Sequence, residues 1–126
     1  MSTTLPSGQK ALGTRWVFRT KADATKKARL IVKGYEEDLT SNIYSPVARM
    51  PTVRLILSNA LQNDWEILQL DIPSAFLNGK VKKDIYIKTP QGVNNEEGKV
   101  LKLYKSLYGL KSAPRDWNET LNDFAQ

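Results

Sequence analysis

The stretch EILQLDIPSAFLNG, residues 66–79, decides how the chain is read. An apolar run over residues 65–70 ends on a carboxylate, Asp71, followed at once by Pro73, Ser74 and Phe76. A run of that length and composition predicts a strand. An acid at the end of a buried strand has two physical uses. It caps the next turn through its side chain, or it belongs to a site. The second use needs companions. Nucleotidyl transfer with two divalent ions requires carboxylates fixed at rigid strand ends. It also requires a turned backbone whose amides face a triphosphate, as at a helix start, and an aromatic ring beneath the sugar. Asp71, the Ile72 carbonyl, the Ser74 and Ala75 amides and Phe76 stand in the right order for those parts.

Working upstream, Pro51 opens a helix over residues 51–64, because proline suits the first helical turn. Val53, Ile56, Leu57, Ala60 and Leu61 form a stripe at helical spacing and are read as core. Residues 36–50 look irregular. Before them, Trp16 and Phe18 alternate with Arg15, Val17 and Arg19, and residues 28–34 alternate in the same way. Two strands joined by a Lys- and Ala-rich loop follow, with Trp16 and Phe18 assigned to the core. Arg15, Arg19, Lys21, Lys26, Lys27, Arg29 and Lys33 stud this ribbon. Residues 1–12 are polar and aperiodic and are read as a flexible N-terminal segment, leaving one domain over residues 13–126.

Downstream, residues 84–89 (DIYIKT) make a strand with Ile85 and Ile87 on one face, and residues 90–98 a solvated loop. Residues 99–110 start as a strand and run into Tyr108-Gly109. Residues 112–126 make a helix capped by Ser112, with Trp117, Leu121 and Phe124 as its buried stripe and Asp116 and Asp123 on its polar face. The order β-β-α-β-β-β-α predicts an α+β fold, with helices packed on a mostly antiparallel sheet.

Composition narrows the chemistry. The chain has no cysteine and no histidine, so thiolate nucleophiles, disulfides and imidazole-bound zinc are excluded. A metal here would be held by oxygen, which favours magnesium or manganese. No apolar run reaches membrane-spanning length and the start has no signal-peptide core, so a soluble intracellular setting with no membrane partner is expected. The net charge of +6 is uneven. Residues 1–35 carry +7, residues 36–79 carry −4 and residues 80–126 carry +3. A basic front beside an acidic centre suggests a polyanion partner, although a solvated basic surface gives the same composition.

The segment LDIPSAFLNG resembles the first catalytic motif of copia-type (Pseudoviridae) retrotransposon reverse transcriptases, usually written Asp-Val-Lys-Thr-Ala-Phe-Leu-Asn-Gly. Other segments agree in order: KARLIVKGY, YSPVARMPTVRLILSNA, DIYIKTPQGV and KLYKSLYGLKSAPRDW resemble successive motifs of the same family. The resemblance runs from about Leu12 to the C-terminus.

It implies the fingers and first half of the palm of a right-hand polymerase that performs RNA-directed DNA synthesis. Asp71 would be the catalytic carboxylate, with Asp71 and the Ile72 carbonyl on Mg²⁺ or Mn²⁺. Lys27, Arg29, Ser74, Ala75, Phe76 and Ser112 would contact the nucleotide. Arg15, Arg19, Lys26, Lys33, Lys111 and Arg115 would contact nucleic acid. The implied partners are an RNA or DNA template-primer, deoxynucleoside triphosphates and the remainder of a Pol polyprotein, in a cytoplasmic virus-like particle.

Three departures bear on activity. Pro73 replaces a usual Lys or other polar residue, and Ser112 replaces a longer Gln. The family's second motif, Tyr-Val-Asp-Asp, supplies two further carboxylates and is absent from this sequence. The chain is therefore expected to be truncated before that motif and inactive alone. The alternative is a host-adopted derivative that acts as a non-catalytic nucleic-acid-binding or interaction module. Without the missing hairpin, the strand ending at Asp71 would lose a neighbour. Part of the face of Val53, Ile56 and Leu57 would be uncovered, and an open sheet edge would invite self-association.

Overall fold

The computed structural model describes residues 1–38 and 43–126. The elements are β1 (Ser2–Thr3), β2 (Ala11–Leu12), β3 (Thr14–Thr20), β4 (Lys26–Val32), α1 (Met50–Gln62), β5 (Lys80–Ile87), β6 (Val100–Lys105) and α2 (Ala113–Ala125). Short 3₁₀ turns span Gly34–Glu36 and Ala75–Asn78. β5 and β6 pair antiparallel, β1 adds antiparallel to β6, and β2 runs parallel to β5. The resulting sheet has the order β1-β6-β5-β2. β3 and β4 form a separate antiparallel ribbon, in unbroken register from Thr14↔Val32 to Thr20↔Lys26. The mixed arrangement agrees with the expected α+β class and its mostly antiparallel pairing. Residues 39–42, inside the stretch read as irregular, lie outside the described residues.

Alternation along β5 builds the core on both faces of the sheet. Ile85 and Ile87 join Leu12, Val32, Leu110 and Ala113 in one buried cluster, with Phe76, Val81, Leu101, Leu103 and Leu107 packed against it. Tyr86 points the other way and is buried with Ala11 and Val100 under Leu5. Residues 1–12, read as an aperiodic terminus, thus supply both outer strands and part of the core. Two-residue strands carry too little pattern to be seen in sequence.

The ribbon is fixed to the sheet at its root. The Val32 N–H donates to the Tyr108 carbonyl (2.8 Å) and the Lys33 N–H to the Gly13 carbonyl (2.8 Å). Gly109 adopts φ +94° there, and a Cβ on it would overlap the Val32 carbonyl oxygen. A left-handed backbone in contact with a strand requires glycine. At the far end, the Lys21 N–H donates to the Thr25 carbonyl (2.9 Å) and the Asp23 carboxylate accepts the Thr25 N–H (3.0 Å). That hydrogen bond holds the Asp23 carboxyl below its usual range.

Four further sequence expectations are corrected. Residues 65–70 form no strand and are exposed, so Asp71 sits on an irregular segment rather than at a strand end. The α1 stripe is not core: only Ala60 is buried, while Val53 is 37% and Leu61 77% exposed. Helical spacing shows which residues share a face; it does not supply what covers that face. On α2, Leu121 and Phe124 are exposed and Asp116 is buried, the reverse of the expected polar face. Ser112 precedes α2 without a side-chain cap bond. Among the described residues, no helix is long and apolar enough to cross a membrane.

Candidate active site

The turn at residues 71–79 is bent by one residue and anchored by another. Ser74 adopts a left-handed backbone (φ 54°) that leads into the Ala75–Asn78 turn, closed by the Leu77 N–H donating to the Ser74 carbonyl (2.8 Å). Serine pays a conformational cost in that region. The turn ends at Gly79, which is buried against α2, where a Cβ would come within 3.0 Å of the Trp117 nitrogen. The Gly79 carbonyl accepts the Ser106 N–H (2.9 Å), and the Ser106 hydroxyl donates to the buried Asp116 carboxylate (2.9 Å). Arg115 donates to the other Asp116 oxygen (2.9 Å). Asp116, 2% exposed, is thereby paired and hydrogen-bonded, the usual condition for a buried charge.

A cleft of about 550 Å³ lies between this turn and the ribbon. Asp71, Ile72, Ser74, Ala75 and Phe76 line one side, and Lys27 and Arg29 line the other. Tyr108 closes the floor between them. Its ring meets Phe76 edge-on, centroids 5.9 Å apart at 70°, and the Arg29 guanidinium carbon lies 5.9 Å from its centroid. Edge-to-face and cation–π geometry both favour this stack. The sequence alone gives Tyr108 no place among the candidate site residues. The signal for its position was its place in the Tyr-Gly turn, which must touch β4.

Other expected site residues lie elsewhere. Ser112 is buried at the start of α2 and does not line the cleft. The Lys111 N–H donates to Glu37 (2.9 Å), and the Arg115 side chain is committed to Asp116. Neither lines the cleft. On the ribbon, register places Arg15, Arg19, Lys27 and Arg29 on one face and Lys26 on the other, with Trp16 and Phe18. Lys33 follows β4 beside Gly13.

Asp71 is the only carboxylate among the residues lining the cleft. Among the described residues, no group of three or more Asp or Glu side chains is placed to hold a metal. One exposed carboxylate does not make a two-ion site, so these residues alone do not fit the pair of magnesium ions implied by the motif. Among the described residues, a second cleft of about 490 Å³ is lined by Glu36, Glu37, Asp38 and Asp84, and Glu36, Glu37 and Asp84 are engaged. Glu36 accepts the Gly13 N–H (2.9 Å), Glu37 the Lys111 N–H, and Asp84 pairs with Lys102 (2.7 Å). The Gly13 hydrogen bond, aided by Lys10, Lys33 and Lys88, lowers the Glu36 carboxyl below its usual range.

A basic ribbon thus faces a left-handed turn that carries an acid and an aromatic. The sequence match is direct: over residues 2–126 the chain belongs to the family described as Reverse transcriptase (RNA-dependent DNA polymerase). It is 43% identical, over 95% of its length, to the Retrovirus-related Pol polyprotein from transposon TNT 1-94 of Nicotiana tabacum. It is 36% identical, over 94% of its length, to the Retrovirus-related Pol polyprotein from transposon RE1 of Arabidopsis thaliana. The chain spans about a tenth of the length of these relatives, 10% and 9%. No solved structure matches it.

Proposed function

We propose that the chain forms the fingers and the first half of the palm of a right-hand reverse transcriptase from a retrotransposon Pol polyprotein. In this reading it contributes the nucleotide-facing cleft to RNA-directed DNA synthesis. The observation that supports it is the convergence of Lys27 and Arg29 with the turn at residues 71–76 on one cleft. The two cations offset triphosphate charge. The Ser74 and Ala75 amides sit at a turn start, where backbone donors suit an anion. Phe76, held edge-on by Tyr108, lies where a sugar would rest. Asp71 contributes one carboxylate toward divalent metal, and the remaining ligands would come from outside residues 1–126. Ser112, Lys111 and Arg115 take structural rather than substrate-facing roles.

The test is binding of a deoxynucleoside triphosphate to the chain, followed by amide NMR shifts. Shifts at Ser74, Ala75 and Phe76, lost in a Lys27→Gln/Arg29→Gln variant, are expected. Shifts confined to other regions would overturn the reading. A second reading, a non-catalytic nucleic-acid-binding module, is favoured by the lone carboxylate of the cleft. It predicts oligonucleotide binding without any response to the triphosphate.

A further inference from the structure

Ser106 and Asp116 meet between the turn at residues 71–79 and α2, and both are almost wholly buried, at 1% and 2% exposed. Ser106 bonds in two directions. Its N–H donates to the Gly79 carbonyl (2.9 Å), and its hydroxyl donates to one Asp116 oxygen (2.9 Å). The Gly79 N–H in turn donates to the Phe76 carbonyl (3.2 Å). Asp116 is thus joined to the backbone of Phe76 by a short relay of hydrogen bonds. Two residues beyond Ser106, the Tyr108 ring meets Phe76 edge-on. The segment after β6 therefore grips the turn by its backbone and by its aromatic ring.

The helix holds the other end of the relay. Arg115 donates to the second Asp116 oxygen (2.9 Å), and Glu119 pairs with Lys82 of β5 (2.6 Å). Gly79 lies against the backbone of Asp116 and Trp117, so turn and helix touch with no side chain of the turn between them. An apolar side chain of similar volume in place of Asp116 would fill this space with no charge to desolvate. It would also leave the contact free to slide, because apolar burial has no direction, whereas hydrogen bonds fix distance and angle. The turn needs such fixing. Ser74 holds a left-handed backbone (φ 54°), a conformation that persists only where the surroundings enforce it.

We propose that Asp116, acting through Ser106, is a positioning residue for the nucleotide-facing turn: the pair braces the backbone from Ser74 to Gly79 so that the Ser74 and Ala75 amides and Phe76 keep one arrangement opposite Lys27 and Arg29. Neither Ser106 nor Asp116 lines the cleft, so the effect reaches a nucleotide only through the turn. The proposal rests on the reverse-transcriptase reading for its ligand; the brace itself rests on the hydrogen bonds.

The test uses Ser106→Ala, which removes the hydroxyl but keeps the backbone bond to Gly79, with Val100→Ala, in the other core cluster, as the control. Two readouts are compared. In the free chain, amide hydrogen exchange at Leu77 and Gly79, relative to that at Val32, should quicken about 3- to 10-fold in Ser106→Ala, the share of one neutral hydrogen bond. In a titration with deoxythymidine triphosphate, the amide shifts at Ser74, Ala75 and Phe76 should need about 3- to 10-fold more ligand, because the competent turn is less populated. Asp116→Asn, which keeps an acceptor for Ser106, should stay near the parent in both. Val100→Ala should change neither. Equal effects in Ser106→Ala and Val100→Ala would overturn the brace, as would unchanged exchange in Ser106→Ala. Faster exchange with unchanged triphosphate affinity would overturn the positioning role. A parent chain with no triphosphate response would instead sink the nucleotide reading and reduce the brace to a structural contact.

Discussion

Gly34 and Gly109 meet backbone to backbone at the root of the ribbon: a Cβ placed on Gly34 would overlap the Gly109 carbonyl oxygen. The Lys-Gly-Tyr and Tyr-Gly-Leu segments, 75 residues apart, are therefore two halves of one joint. This joint is one of the contacts that place Lys27 and Arg29 opposite the turn at residues 71–76.

Substitution at this joint should be severe. Gly109→Ala combines a forced left-handed backbone with overlap against Val32. A cost of at least about 2 kcal/mol is expected, read as a fall in melting temperature of at least about 5 °C. Gly92→Ala is the control, with a similar φ (+84°) and open space around it. It should cost about 1 kcal/mol. Equal melting temperatures for the two variants would mean that the joint does not hold the ribbon.

Asp116→Ala should destabilise the chain by about 3 kcal/mol, because it removes the acceptor of the buried Ser106 hydroxyl and one ion-pair partner of the largely buried Arg115. Asp116→Asn retains an acceptor for Ser106 and should lose less. Chemical denaturation of both variants measures the difference. A neutral Asp116→Ala would show that water replaces the carboxylate.

Stability should fall on acidification through Glu36. Its carboxyl is lowered in the folded chain by the Gly13 hydrogen bond, so folding favours the charged form. That contribution is full above the unfolded value of about 4.5 and disappears as pH falls through the lower folded value. Glu36→Gln should flatten this part of the melting-temperature profile below about pH 4.5. An unchanged profile would assign the acid loss to other carboxylates.

The isolated chain should give no primer extension with magnesium or manganese, because its cleft carries one carboxylate. Product that disappears in Asp71→Asn would reveal a second ligand among these residues.

The exposed α1 face should drive association. Val53, Ile56, Leu57 and Leu61 leave an apolar stripe uncovered, and Trp65, Ile67, Leu68 and Leu70 after it are exposed as well. Light scattering should show mass rising with concentration, and Ile56→Lys/Leu61→Lys should suppress the rise. A monomer at every concentration would mean that the net charge of +6 dominates. The expected route through an open edge beside Asp71 does not apply, since no strand forms there, and the sheet's edge strands β1 and β2 are two residues long.

Much of this was legible in the sequence. Alternation found β3 and β4, because successive residues of a strand point to opposite faces. The sequence marks the turn at residues 71–76 and its basic counterpart, but not the cleft they share. What failed was partnership. Residues 65–70 have strand composition but no neighbour to pair with, and α1 has an amphipathic stripe but no surface to cover it. Asp116 was assigned to solvent by its charge. The clue was its adjacency to Arg115 and the need of Gly79 for a close neighbour. Trp16 and Phe18 were assigned to the core because alternation separates two faces without saying which is wet.

The joint of Gly34 and Gly109 also turns the ribbon into a lever. Seven-residue strands rising about 3.3 Å per residue reach roughly 23 Å from that root. A tilt of about 10° there sweeps the tip through about 4 Å, while Arg29, three residues from Val32, travels less than half as far. Lys26 and Lys27 ride near the tip; Arg29 stays close to Tyr108. One wall of the cleft thus keeps Arg29 nearly fixed while Lys27 advances or retreats, so a tilt at the root changes the reach of that wall rather than its charge.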